Sequence, residues 1–339
     1  MYERISSNVR KSWLLIGAFV VFVVLIGSVF GYMTQFGFWG PAIALVIALL
    51  MVWGSYFNSD RIALSASRAK PAEGARYNQL HNIVEGLSIA AGIPKPRVYV
   101  IEDTAPNAFA TGRNPEHAAV AVTTGLLAKM NRDELEGVMA HELSHIQNRD
   151  TLVMTLAVTL VGVIVLLADW MIRAMWWGGM TGGRGRDRGG GPGGLIAIFG
   201  IVLLFVAPLV AQLLQFAISR QREFLADADA VNFTRYPDGL ISALRKLQED
   251  QTVVRTASRA TAHLWIESPI PHQAARGPKG ATKQGAWLNR MFETHPPLEM
   301  RIEALQKSGL GGAFGPTRPA AEPTRPAAGE PPPPPPSMG

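Results

Sequence analysis

The chain has 339 residues, 48% of them hydrophobic and only 17% charged, with no cysteine and a net charge of +6. Soluble domains carry about a quarter charged residues, so apolar stretches must be concentrated somewhere in this chain, and the lack of cysteine excludes a disulfide scaffold and a thiolate-held metal. The basic residues are not gathered with aromatics into a nucleic-acid surface; many flank apolar stretches instead, and no nucleic-acid partner is expected.

Asp, Glu, Lys and Arg are absent between Lys11 and Asp60, between Asp150 and Asp169, and between Arg188 and Arg220. A spanning helix needs roughly 20 mostly apolar residues. The first gap predicts two, over 13–33 and 38–57, with Phe36-Gly37 and Gly40-Pro41 at the turn. They form an N-terminal transmembrane hairpin over 1–57, too long and too quickly followed by a second span to be a cleaved signal. Arg4, Arg10 and Lys11 precede it and Arg61, Arg68 and Lys70 follow it, which places both its ends in the cytoplasm.

Residues 58–150 have the composition of a water-soluble segment. An amphipathic helix is predicted over 72–91, with Leu80, Val84 and Leu87 on one face, broken by Gly92-Ile93-Pro94-Lys95-Pro96. Valine-rich runs at 97–101 and 118–123 predict strands, and 107–112 a third at a sheet edge. Asn131 and Glu134 then have the spacing of a capping box, opening a helix that carries His141-Glu142-Leu143-Ser144-His145.

The second and third gaps predict one apolar segment each, over 151–170 and 194–218, joined by a glycine-rich loop with Arg184, Arg186 and Arg188. Together 151–218 form a second apolar hairpin, transmembrane or re-entrant, since a basic outer loop runs against the positive-inside tendency. Helices are predicted over 220–232, 238–250 and 298–307. The tail, 311–339, is rich in proline and alanine, ends near six consecutive prolines, cannot bury a core and is expected to be disordered. The fold class is mainly α with a small β-sheet (α+β): transmembrane helices plus a zincin-like metalloprotease domain assembled from 58–150 and 219–310.

Histidines four residues apart lie one above the other on a helix, so His141 and His145 can reach one metal ion. A catalytic zinc keeps three protein ligands and an open position. Glu223 is the best third ligand: it lies five residues past the last apolar segment, and two spans, or none, return it to the side of His145. If both ligand helices run on into the spans, at about 1.5 Å per residue the metal lies within roughly 10 Å of the apolar boundary. Asp227, one turn beyond Glu223, can accept a hydrogen bond from the outer nitrogen of a ligating histidine, whereas Asp229 points elsewhere and receives no role. Glu142 is placed to take a proton from an activated water and pass it to the departing amine. Two imidazoles and a carboxylate favour one Zn2+ per chain over other divalent ions.

These residues carry a resemblance. Residues 136–145 with Asn148-Arg149-Asp150, residues 219–227, Thr294-His295-Pro296-Pro297 with Arg301-Ile302, and Asn107–Gly112 together resemble the HtpX-type membrane zinc peptidases, relatives of the C-a-a-X prenyl proteases. The resemblance implies His141, His145 and Glu223 as zinc ligands and Glu142 as catalytic acid/base. It implies a multi-pass protein of the bacterial cytoplasmic (inner) membrane, catalytic domain and N-terminus in the cytoplasm, that clears misfolded or damaged membrane proteins under stress. It suggests that His295 approaches the metal as an extra ligand or an oxyanion donor. Asn107, Ala108, Phe109 and Ala110 would be the strand on which an extended substrate pairs. The partners expected are polypeptides, mainly membrane proteins, and the lipid bilayer. Two competing readings are a processing enzyme for lipidated C-termini and a zinc-stabilised membrane scaffold. The first counterpart encloses a chamber within more spans than the four found here, and the second has no use for Glu142.

Overall fold

The computed structural model describes residues 2–33, 37–154, 156, 220–250, 252, 265–266 and 296–307. His295, most of the second apolar hairpin, the glycine-arginine loop and the proline-rich tail lie outside the described residues.

Helices α1 (Tyr2–Met33) and α2 (Trp39–Ala66) form the predicted hairpin, and both are longer than their apolar cores. They contain stretches long and apolar enough to cross a membrane, Ser6–Ser28 and Trp39–Ala66; most large apolar side chains of α2 face outward, whereas α1 buries Leu15, Phe19, Phe22 and Val23. A Cβ on Gly27 would stand 2.2 Å from that of Ala44, so the helices meet at backbone distance there. Gly40 and Pro41 sit in the first turn of α2 and not in the connection. The position suits proline, because first-turn amides lack intrahelical partners. Helix α2 kinks at Asn58, where charged residues resume. Beyond the kink Asp60 pairs with Arg97, and Arg113 donates to the carbonyl of Phe57 at 3.2 Å, which ties the helix to the sheet.

Four strands follow: β1 (Lys70–Pro71), β2 (Arg97–Ile101), β3 (Ala108–Thr111) and β4 (Ala119–Thr123), in the order β1-β2-β4-β3. Strands β2 and β4 run parallel, and the outer two are antiparallel to their neighbours. Helix α3 (Asn78–Ala91) starts six residues later than its periodicity suggests, because Ala72 donates its N–H to Val98 as an extension of β1. Helix α4 (Thr124–Lys129) is a short addition, capped by the Thr123 hydroxyl accepting from the Leu126 N–H.

Helix α5 (Arg132–Gln147) is the centre of the molecule. Its capping box is present: Asn131 accepts from the Glu134 N–H at 2.9 Å, and Glu134 accepts from the Asn131 N–H at 2.8 Å. Helices α6 (Arg220–Thr234), α7 (Pro237–Glu249) and α8 (Leu298–Lys307) pack around it. A Cβ on Gly137 would lie 2.7 Å from the Leu240 nitrogen, so only glycine lets α7 approach α5 this closely. The main core fills the space between α3, one face of the sheet and these helices. The other face is covered by Ala63 and Leu64 of α2 and by Trp265, whose ring meets Phe109 edge-on at 4.9 Å.

Helix α5 does not run unbroken into the next apolar segment. Arg149 has φ +58°, a left-handed conformation that interrupts the helix, which resumes at Asp150. Val153, just beyond, packs with Leu15, Phe19, Phe22 and Val23 of α1. The third apolar segment therefore begins alongside the hairpin.

Candidate metal centre

The histidines sit at consecutive turns of α5, and α6 lays Glu223 against them. All three are buried. Nε2 of His141 and Nε2 of His145 are 3.2 Å apart, and the Glu223 carboxylate oxygens stand 3.6 Å and 3.7 Å from them. One donor atom from each residue falls within a common span of 4.8 Å. Donors about 2.0–2.2 Å from one tetrahedral zinc stand roughly 3.3–3.5 Å from each other. Two imidazoles and a carboxylate at these separations fit zinc and leave a fourth position open.

The outer nitrogen of each ring faces a carboxylate. Nδ1 of His141 is 2.9 Å from Oδ1 of Asp227, and Nδ1 of His145 is 3.2 Å from Oδ2 of Asp150. A ring that donates from Nδ1 turns the lone pair of Nε2 inward, which is the form a metal requires. The break at Arg149 makes the second contact possible. Five residues along a continuous helix, Asp150 would point well away from His145; restarting the helix brings its carboxylate back beneath the ring. Asp227 lies on the same face as Glu223, one turn on.

Arg301 of α8 is wholly buried and closes the site from behind. It donates to Asp227 through Nε at 2.8 Å and Nη2 at 2.6 Å, and its Nη1 is 3.6 Å from Glu223. Nη2 also lies 3.2 Å from Nδ1 of His141; both groups are donors sharing Oδ1 of Asp227, so this is a shared-acceptor contact and not a bond between them. Burial works against the charge of Asp227, but Arg301 and His141 outweigh it and hold the carboxyl below its usual range. Burial likewise opposes a charged His145 in the metal-free protein. The Asp150 hydrogen bond and the charges of Glu223, Asp150 and Glu142 prevail and raise its pKa to about 9. Glu142 is itself buried, and its charge is felt at both His145 and Arg301.

The Asn107–Ala110 segment lies at the outer strand of the sheet, β3 pairing only with β4 among the described strands. Its Ala108 carbonyl accepts from the N–H of Ile266 at 3.0 Å, so main chain already approaches this edge. Asp229, to which the sequence assigns no role, accepts from Asn148 at 2.8 Å and Ser144 at 3.3 Å and so ties α6 to the break after α5. The sequence names Asp150 and Arg301 only within the matching blocks and assigns neither a role. A signal existed for Arg301, a cation on the apolar stripe of Leu298, Ile302 and Leu305. Asp150 carries no mark of its contact with His145, which depends on the left-handed Arg149.

The family model for peptidase family M48 matches residues 74–308. The chain belongs to peptidase family M48. This M48 peptidase is 44% identical over 306 residues to the "Protease HtpX homolog" of Thermoanaerobacter pseudethanolicus, covering 90% of this chain and 97% of that one. To the protein of the same description from Streptococcus gordonii it is 42% identical over 310 residues, 91% and 99% of the two chains. Among solved structures, the crystal structure of S. mikatae Ste24p overlays with a TM-score of 0.45 at 18% identity, over 90% of this chain and 67% of that one. As an M48 peptidase the chain is a membrane metalloprotease, a hydrolase acting on polypeptides with a metal ion, typically zinc.

Proposed function

We propose that the protein is a zinc endopeptidase of the bacterial inner membrane that cleaves misfolded or damaged membrane proteins, with its catalytic domain and N-terminus in the cytoplasm. The observation that carries the reading is the buried His141, His145 and Glu223 cluster, its donor atoms within 4.8 Å, in a domain packed against a membrane-length hairpin. Those three residues would hold one Zn2+. When bound, the ion supplies Lewis acidity, lowering the pKa of water and polarising a peptide carbonyl.

The remaining chemistry falls to the chain. Glu142 acts as general base towards the attacking water and then returns the proton to the leaving amine. Asp227 and Asp150 hold the two imidazoles in the productive tautomer. Substrate pairs in extended form with Asn107–Ala110, on the outer strand of the sheet, in place of the Ile266 main chain that meets the Ala108 carbonyl. Main-chain pairing tolerates many sequences, which suits quality control. In this reading 1–57 is an anchor, 58–150 and 219–310 make the peptidase, 151–218 is a second membrane hairpin, and His295 adds a ligand or an oxyanion donor.

The test is zinc content and casein cleavage by purified protein, wild type beside Glu142→Gln, with a chelator control. Glu142→Gln is expected to retain zinc while cleavage drops by about 10²–10⁴-fold. Undiminished cleavage by that variant refutes the proposal.

A further inference from the structure

Asn8 lies in the first membrane helix, 142 positions before Asp150 in sequence, yet its side chain is buried against it. Its amide donates to Oδ1 of Asp150 at 2.7 Å and to the carbonyl of Asn148 at 2.9 Å. The other oxygen of Asp150, Oδ2, faces Nδ1 of His145. One carboxylate thus joins a residue at the membrane-helix end to a residue of the metal cluster. Arg222 approaches the same Oδ1 at 3.6 Å, and Lys11, one turn beyond Asn8, is within electrostatic reach of both.

Asn8 stands ahead of the uncharged apolar stretch that follows Lys11, but a buried side-chain amide is costly unless protein groups satisfy it. Ser12, the next polar residue on this face, is also buried, but its hydroxyl donates only within the helix, to the Asn8 carbonyl at 3.0 Å. Asn8 instead reaches out of its helix, to both sides of the break at Arg149. Without the Asn8 amide, Asp150 would keep Arg222 near Oδ1 but lose the 2.7 Å hydrogen bond from α1 that helps fix the carboxylate plane. That plane decides whether Oδ2 meets the imidazole edge.

We propose that Asn8 is a positioning residue for the metal site: acting through Asp150 it orients the His145 ring, making the first membrane helix part of the site's support. This rests on the reading that His145 ligates zinc. Partners behind a ligating histidine typically alter metal affinity or activity about 10–100-fold. Asn8 is one link further out, so roughly 3–10-fold is expected.

The experiment uses the full chain in detergent, with zinc affinity from competition against a chromophoric chelator and kcat and KM at saturating zinc. Asn8→Ala is expected to weaken zinc and lower kcat with KM unchanged. Asn8→Asp, of the same size but placing a carboxylate against Asp150, is expected to do so more strongly. Ser12→Ala, buried one turn further along the same helix face, should match wild type. In an Asp150→Asn background, Asn8→Ala should add nothing further, because residues acting through a shared partner are not additive. Wild-type affinity in both Asn8 variants overturns the inference, as does an equal loss in Ser12→Ala or full additivity with Asp150→Asn. A wild type that holds no zinc strikes the metallopeptidase reading itself; a zinc-loaded wild type with unaltered Asn8 variants strikes only the role of Asn8.

Discussion

Arg301→Met probes the arrangement behind the metal cluster. The guanidinium is 0% exposed and makes two charged hydrogen bonds to Asp227, at 2.8 and 2.6 Å, with a third nitrogen 3.6 Å from Glu223. Methionine preserves much of the volume but removes the cation, leaving the carboxylates of Asp227, Glu223 and Glu142 buried together. Breaking a buried pair by deleting one partner costs about 3–5 kcal/mol. For a domain of this size each kcal/mol moves the unfolding midpoint by about 2–4 °C, so the variant should unfold roughly 6–20 °C lower. Deleting both charges, in Arg301→Met with Asp227→Asn, should recover at least half of that loss, since the stranded charge is gone. Zinc, as a replacement cation, should raise the midpoint of Arg301→Met by more than it raises the wild type. The assay is thermal unfolding in detergent at a fixed scan rate, metal-free and zinc-loaded. A loss below about 2 °C, or a double variant less stable than the single, refutes the account.

Asp227→Ala takes away the partner of His141 and should weaken zinc binding about 10–100-fold, measured by chelator competition. The pKa of His145, raised to about 9, sets a pH dependence with a definite sign. Its proton stabilises the metal-free fold fully below the ordinary value of 6.5, and that contribution is lost as the pH climbs through about 9. Zinc must displace the same proton, so its affinity should rise about tenfold per pH unit from neutrality to about 9 and then level off; a flat titration profile refutes this. Gly137→Val forces a side chain against the Leu240 backbone, 2.7 Å from an added Cβ, and should cost about 1–3 kcal/mol in chemical denaturation.

Much of this architecture can be read directly from the sequence. Helix α5 announces itself through Asn131 and Glu134, and β2 and β4 through their valines, because capping and alternation are local physics. The cluster of His141, His145 and Glu223 is legible because helical spacing sets the first two and membrane parity constrains the third. What escapes depends on tertiary context. Strand β1 is two residues long and has no pattern of its own, so the periodicity of α3 extends back to Ala72. The left-handed backbone at Arg149 has no compositional mark, glycine being the residue that usually signals it. With that break hidden, neither the return of Asp150 to His145 nor the hold of Asp229 on Asn148 can be foreseen.

The sheet's second face has a consequence for how the molecule can be divided. Ile101, Ala105, Phe109, Ala119 and Ala121 are at most 1% exposed there, and Ala63 and Leu64 of α2 form part of their cover. Trimming away the first 66 residues to obtain a convenient soluble fragment would uncover a greasy slot on the sheet face turned away from α5. Such a fragment should stick to itself or to detergent. The end of the hairpin thus doubles as part of the cover of the peptidase sheet.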